Sequence, residues 1–318
     1  MQARSAAGHE ASFIERTDRY AFYSNFWINL HHFLFQQAQR KDGEPIDGGR
    51  LLSRAEFAEI NGAIDWYRDK LAQRSLLMDP YLYKVKRVLT GIEETELPTA
   101  DAIDADHLAQ LEAAASVYRT HYWTRHDRQN REIVAWHRDR IRALEHDVLD
   151  RISSLAQEPW PDEHIRVDLT WDANWAGAYC TVEPIHAVLT SRPGGPKNTW
   201  PPGGWLELLF HEPSHALIDP DSSTVGEILR ETAEQLGLDG ADQLWHAVLF
   251  LFSGTAVQEA LGEEGVSHEL LMVSESIFSR YQPAVNDGFA AYMAGKDTLH
   301  SAARETLEKL SAARQASP

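Results

Sequence analysis

The chain has 318 residues, 43% apolar and 25% charged, enough for one large domain or two ordinary ones with a sizeable core. Its net charge of -18 argues against nucleic acid and anionic membrane as partners. The single cysteine, Cys180, excludes an internal disulfide and a cysteine-based zinc site, so any metal must be held by histidines and carboxylates.

No run approaches the roughly 18 apolar residues that span a bilayer. The start "MQARSAAGHEASF" has no apolar signal core, so the expected location is the cytoplasm, with export open if a leader has been removed. Residues 18 to about 157 read as helical. A helix with a candidate cap at Asp18 runs toward Gly43 and is apolar nearly all round. The next begins at Ser53, where Ser53 and Glu56 match a capping box. "MDPYLYKVKRVLTGI" is a third. A long helical region spans Asp106–Ala156, with Ile133, Ile141, Leu144, Val148, Ile152 and Leu155 as its apolar stripe.

The period changes after "QEPWPDEH". Ile165, Val167, Leu169 and Trp171 alternate with polar residues, which predicts a half-buried strand. "AGAYCTV" and "IHAVLTS" predict two more, with Glu183-Pro184 as the turn. "SRPGGPKNTWPPGG" is a loop. Helices follow it over about 205–219, 222–237, 242–262, 266–280, 285–295 and 297–313. The expected fold class is α+β, predominantly α-helical, with a small antiparallel sheet and a division into 1–158 and 159–318.

The chemistry centres on Trp205–Asp219, "WLELLFHEPSHALID". His211 and His215, four apart on a helix, share a face and can offer two nitrogens to one ion. Glu212, offset by about 100°, suits a general base acting on metal-bound water better than a ligand. Strands before an apolar H-E-x-x-H helix and helices after it resemble the zincin metallopeptidases, over roughly residues 163–260. The resemblance implies a zinc ion, a peptide or other small amide substrate, and a zincin-like core at 159–318 under the helical region. Pro213 departs from the family pattern. It lacks the N–H for Leu209, so either the helix starts late, with Pro213 in its first turn, or it kinks there.

A zinc site with an open position needs a third protein ligand. Glu234 has the spacing of Glu-liganded zincins, but Val225, Ile228, Leu229, Thr232 and Leu236 form the apolar face of its helix. That leaves Glu234, Glu227 and Glu231 toward solvent. His246 is the better candidate. It is the only strongly polar side chain from Leu244 to Phe252, and a buried imidazole needs a partner. Leu249, Phe250, Ser253 and Val257 share its face. Its alternative is a core histidine bonded to a carbonyl. "LWHAVLF" also resembles a segment of uncharacterised bacterial proteins that carry H-E-x-x-H.

In zincins a Tyr, His or Arg often stabilises the oxyanion. His268, Tyr281, Arg280 and Tyr292 are candidates. Tyr179 and Asn174 would contact substrate if "WDANWAGAYC" lines the cleft, with Trp171 and Trp175 as walls; an ordinary tight turn is the alternative. His31 and His32, adjacent and about 100° apart, read as structural. Glu183 and His186 repeat the E-x-x-H spacing of di-iron bundles but lie among strands. The expected function is a zinc-dependent hydrolase of amide bonds with His211, His215 and His246 on the metal and Glu212 as base. The alternatives are a non-hydrolytic iron or copper enzyme and a non-catalytic metal-binding protein. Oligomeric state is open.

Overall fold

The computed structural model describes residues 12–40, 52–99, 103–238 and 242–316. Where the sequence predicts a helix opening at Asp18, the chain forms an antiparallel hairpin, β1 (Phe13–Arg16) and β2 (Tyr20–Tyr23). The cause is long-range. "YAFY" is rich in aromatic side chains that suit a pleated surface, and it pairs in parallel with β3 (Ile165–Thr170). The helix α1 (Phe26–Gln39) starts later, capped by Asn25, whose side chain accepts from the Ile28 N–H at 2.9 Å. It is buried nearly all round, as expected. Its expected close near Gly43 lies outside the described residues.

α2 (Arg54–Lys70) carries both bonds of the Ser53–Glu56 capping box. α3 (Pro80–Leu89) is capped by Asp79, which accepts from the N–H groups of Tyr81 and Leu82, with Pro80 at the tolerated first position. The long helical region is two helices, α4 (Ala105–Tyr118) and α5 (Thr124–Ala156), joined by one π-helical turn, Arg119–Trp123. The whole stripe from Ile133 to Leu155 is buried.

β4 (Ala178–Val182) and β5 (Ile185–Thr190) flank the Glu183-Pro184 turn. The sheet order is β1-β2-β3-β5-β4. The sheet is mixed rather than antiparallel, since β2, β3 and β5 run parallel and the edge strands β1 and β4 run antiparallel to their neighbours. Between β2 and β3 the chain passes through all the N-terminal helices, and such a long crossover permits parallel pairing. β3, expected half-buried, also buries Asp168 and Thr170. Asp168 is sustained there by Arg166 Nε at 2.6 Å and His186 Nε2 at 2.7 Å, the pairing a buried carboxylate requires.

Two compact units divide the chain differently from the expected cut at 158/159. One comprises residues 1–139 and 164–196, the other 140–163 and 197–318. The strands therefore group with the N-terminal helices and not with the H-E-x-x-H segment, because the sheet takes its first two strands from near the N-terminus. α5 contributes its first half to the first unit and its second half to the second.

The second unit is helical among the described residues: α6 (Gly204–His211), a 3-10 turn (Pro213–Ala216), α7 (Thr224–Gln235), α8 (Leu244–Glu263), α9 (Leu271–Ser274), α10 (Gln282–Met293) and α11 (Leu299–Ala316). α8 packs against α6, α7, α9 and α10. Its most apolar 18-residue window has mean hydropathy 1.2, enough by length and composition to cross a bilayer, and 72% of that window is buried. The helix expected over 266–280 shrinks to α9, since Ser276 and Phe278 have φ of 55° and 53°, which a right-handed helix does not admit.

Candidate metal centre

The site is built by two helices and one turn. α6 carries His211 as its last residue. Pro213 has no N–H to bond Leu209, so the α-helix ends and a 3-10 turn begins with Pro213 at its first position. This is closer to the expected kink than to a late start. Ser214 occupies the loosened end, donating from Oγ to the Phe210 carbonyl at 2.6 Å. The tighter winding places the His215 ring 5.2 Å from that of His211, at 86°, and 4.9 Å from that of His246 on α8.

One ligand nitrogen from each of His211, His215 and His246 lies within 4.8 Å of the others. The Nε2 atoms of His211 and His246 are 3.3 Å apart. Two nitrogens on a tetrahedral zinc, with bonds of about 2.0–2.1 Å, stand roughly 3.3–3.4 Å apart. The donor set and this spacing therefore fit a zinc ion. His211 is buried, while His215 and His246 are half-buried, so the cluster keeps a side toward solvent.

Burial lowers all three pKa values. His246 is pushed down to about 3 by desolvation, with His215 adding to it, and His215 to about 4 by desolvation. His211 falls well below 6.5 through desolvation and its two neighbours. Neutral imidazoles are the ligating form. Ser253 fixes one tautomer. Its hydroxyl donates to the Leu249 carbonyl at 2.8 Å, so at 3.1 Å from His211 Nδ1 it can only accept. Nδ1 then holds the proton, and Nε2 presents its lone pair to the cluster. The sequence reading placed Ser253 on the His246 face without giving it this role. Its signal is a hydroxyl seven residues, two helical turns, after His246 on the same apolar face.

Aromatic rings wall the cluster. Phe250 stacks on His211 at 3.8 Å, Trp245 on His246 at 4.9 Å, and Phe278 lies 5.0 Å from His246. Phe278 is presented from its left-handed backbone position, a strain of a kind that collects at functional sites.

The other candidates are engaged elsewhere. His268 donates or accepts through Nε2 with Glu207 Oε2 at 2.7 Å, and the same oxygen accepts from the Leu271 N–H. Burial raises the Glu207 pKa against these bonds. Glu207 sits one turn before His211 on α6 and approaches α8 closely, its Oε1 lying 2.9 Å from where a Cβ on Gly254 would stand. Tyr281 is buried against Phe278, with ring centroids 6.3 Å apart, and its hydroxyl is bonded by Arg280. Tyr292 donates to the Leu155 carbonyl. Tyr179 belongs to the first unit, on edge strand β4, where its hydroxyl meets His32 Nε2 at 2.9 Å. Asn174 forms the tight turn instead of a cleft wall, accepting from the Ala176 and Gly177 N–H groups. His186 is bound to Asp168. Glu212 is buried, and Glu227, Glu231 and Glu234 are exposed as expected.

No family model matches the chain, and neither a curated protein nor a solved structure does.

Proposed function

We propose that the protein is a zinc-dependent hydrolase of peptide or other amide bonds. The observation that supports this most is the meeting of His211, His215 and His246, neutral and partly open, with a 3.3 Å nitrogen pair. A zinc ion held there would supply a Lewis acid and an acidified water near neutral pH. His211, His215 and His246 would hold it, with Ser253 keeping the His211 lone pair aimed inward. Glu212, next in sequence to His211, would take the proton from the attacking water and pass it to the leaving amine. Phe278 and Trp245 beside His246 would seat an apolar group of a small substrate.

The test pairs metal content with turnover. Plasma mass spectrometry should find about one zinc per chain, and a screen of small peptides and acyl amides should find a substrate. Glu212→Gln should then lower turnover by about 100-fold or more while keeping its zinc, as loss of a general base does. Iron or copper in place of zinc would move the reading to a non-hydrolytic metalloenzyme. Full turnover in Glu212→Gln would end the assignment of that residue.

A further inference from the structure

Glu207 and His268 form a pair in the second unit that no step of the proposed hydrolysis uses. Both side chains are completely buried, with His268 Nε2 and Glu207 Oε2 2.7 Å apart. Glu207 Oε1 and His268 Nδ1 are buried as well and make no hydrogen bond. Those two unmet atoms make the pair a costly way to hold two elements together, since apolar side chains of like volume would do so without them. What a hydrogen-bonded pair adds over apolar packing is direction, because its atoms meet only within a narrow range of distance and angle.

The direction it sets is that of the chain toward the metal centre. Glu207 Oε2 also accepts from the Leu271 N–H at 2.9 Å, at the start of α9. Gln258 on α8 adds a second tie, donating to the His268 carbonyl at 2.7 Å. From that grip a run of backbone hydrogen bonds carries the chain to Ser276: Val273 and Ser274 donate to the Leu270 carbonyl, Glu275 to Leu271 and Ser276 to Val273. Phe278 stands two residues beyond. Its carbonyl accepts from the Tyr281 and Gln282 N–H groups at 2.7 and 3.1 Å, which holds it from the other side. Ser276 and Phe278 occupy left-handed backbone positions, with φ of 55° and 53°. Residues other than glycine keep such positions where the surroundings over-determine them. The result is a Phe278 ring 5.0 Å from His246 and 5.9 Å from Phe250.

We propose that Glu207 and His268 are positioning residues for the aromatic wall of the metal centre: by holding α9 on α6 they set Phe278 beside His246, and so give the site a preference for ligands with an aromatic group. The inference rests on the reading of His211, His215 and His246 as zinc ligands. Neither residue touches the ligand. Both act through Leu271 and the chain that leads to Phe278.

Titration of the zinc-loaded, full-length protein with benzohydroxamate and with acetohydroxamate tests this. The two probes chelate zinc through the same group and differ by the ring. The wild type should bind benzohydroxamate more tightly by about 5-fold, the worth of an aromatic contact, and Phe278→Ala should remove most of that preference. Glu207→Met, which drops both bonds, should remove it to the same extent while zinc content and acetohydroxamate affinity stay as in the wild type. Glu207→Gln, which keeps an acceptor for Leu271 and for His268, should retain it. Because Glu207→Met strands a buried imidazole, the double variant Glu207→Met with His268→Phe replaces the pair by apolar groups of like size. It should hold or exceed the wild-type melting temperature and still lose the preference, whereas a merely structural pair would move stability and leave the ratio of the two affinities alone. An unchanged ratio in the double variant with zinc bound would overturn the positioning role and leave the zinc reading standing. No preference in the wild type, or an unchanged ratio in Phe278→Ala, would overturn it at the wall. A protein that takes up no zinc would end the zinc reading, and this inference with it.

Discussion

In the first unit His107 stands between two phenols, 2.8 Å from Tyr81 and 2.7 Å from Tyr67, and Tyr67 passes on to His31 at 2.9 Å. His32 spans the Ile28 carbonyl and Tyr179. In the second unit His211 has Ser253 on one nitrogen and another imidazole on the other, and the ring nitrogens of His215 make no hydrogen bond among the described residues. Both groups are buried or half-buried and held neutral by desolvation. The difference lies in what the nitrogens face. Oxygen partners answer both ring nitrogens of His32 and of His107, and in His31 they answer Nδ1 while the buried Nε2 has none. In the second the imidazole nitrogens converge on one another within 4.8 Å, a spacing that suits a shared cation, and this makes burial alone a poor guide to function.

The sharpest way to break that contrast is to delete one imidazole from each side. His246→Ala should lower zinc affinity by more than about 100-fold, beyond what loss of an outer-shell partner costs, and leave substoichiometric metal by mass spectrometry. His107→Ala should keep its full zinc while losing stability, since it empties a buried site and removes one hydrogen-bond partner each from Tyr67 and Tyr81. Zinc lost equally from both variants would mean that the first group is no mere framework.

Acid should act on both groups. The folded pKa of His32 is lowered to about 4 and that of His107 to about 3, each chiefly by burial, against about 6.5 in an unfolded chain. Above pH 6.5 both states are neutral and the stability is intact. As pH falls below 6.5 the unfolded chain binds protons that the folded chain refuses. Stability then drops by about 1.4 kcal/mol per pH unit for each such histidine, until the folded pKa is reached. Urea unfolding between pH 7.5 and 4.5 checks this. Bound zinc should make the decline steeper, because only the second group competes with protons for it. A flat profile without metal would contradict the buried neutral state.

A smaller effect is expected at Ser253. Ser253→Ala frees His211 Nδ1 from its acceptor and should weaken zinc by about 10- to 100-fold, the usual range for such outer partners. The metal should still bind at saturation, with the fold intact by circular dichroism. No change in affinity would show that the tautomer of His211 is set by the ion and not by the helix.

How much of this was legible follows from the range of the interactions. His211, His215 and His246 could be read because helical spacing and one polar residue in an apolar run are local signals. The Ser53 and Asp79 caps are equally local, and the capping box makes Ser53 the plainer of the two. The hairpin β1–β2 was not legible, since Tyr20–Tyr23 becomes a strand by pairing with residues more than a hundred positions away. The same pairing moved the strands out of the expected zincin-like half. Tyr179 and His268 carry side chains suited to an active site, but their partners His32 and Glu207 are fixed by tertiary packing, which spacing does not report. The loop at Ser276 and Phe278 holds no glycine or proline to announce its left-handed turns.

Glu234 offers the finest test of geometry against spacing. Its distance from His215 matches Glu-liganded zincins, yet on α7 it is exposed while Val225, Ile228, Leu229 and Thr232 face inward. A zinc-binding Glu234 would have to turn that apolar face to water, at a cost far above what one ligand bond in an exposed position returns. Glu234→Gln should therefore leave zinc affinity unchanged and shift stability by no more than about 0.5 kcal/mol, as surface substitutions do. A 100-fold loss of zinc in this variant would instead put the third ligand on α7 and return His246 to the role of a core histidine, like those of the first unit.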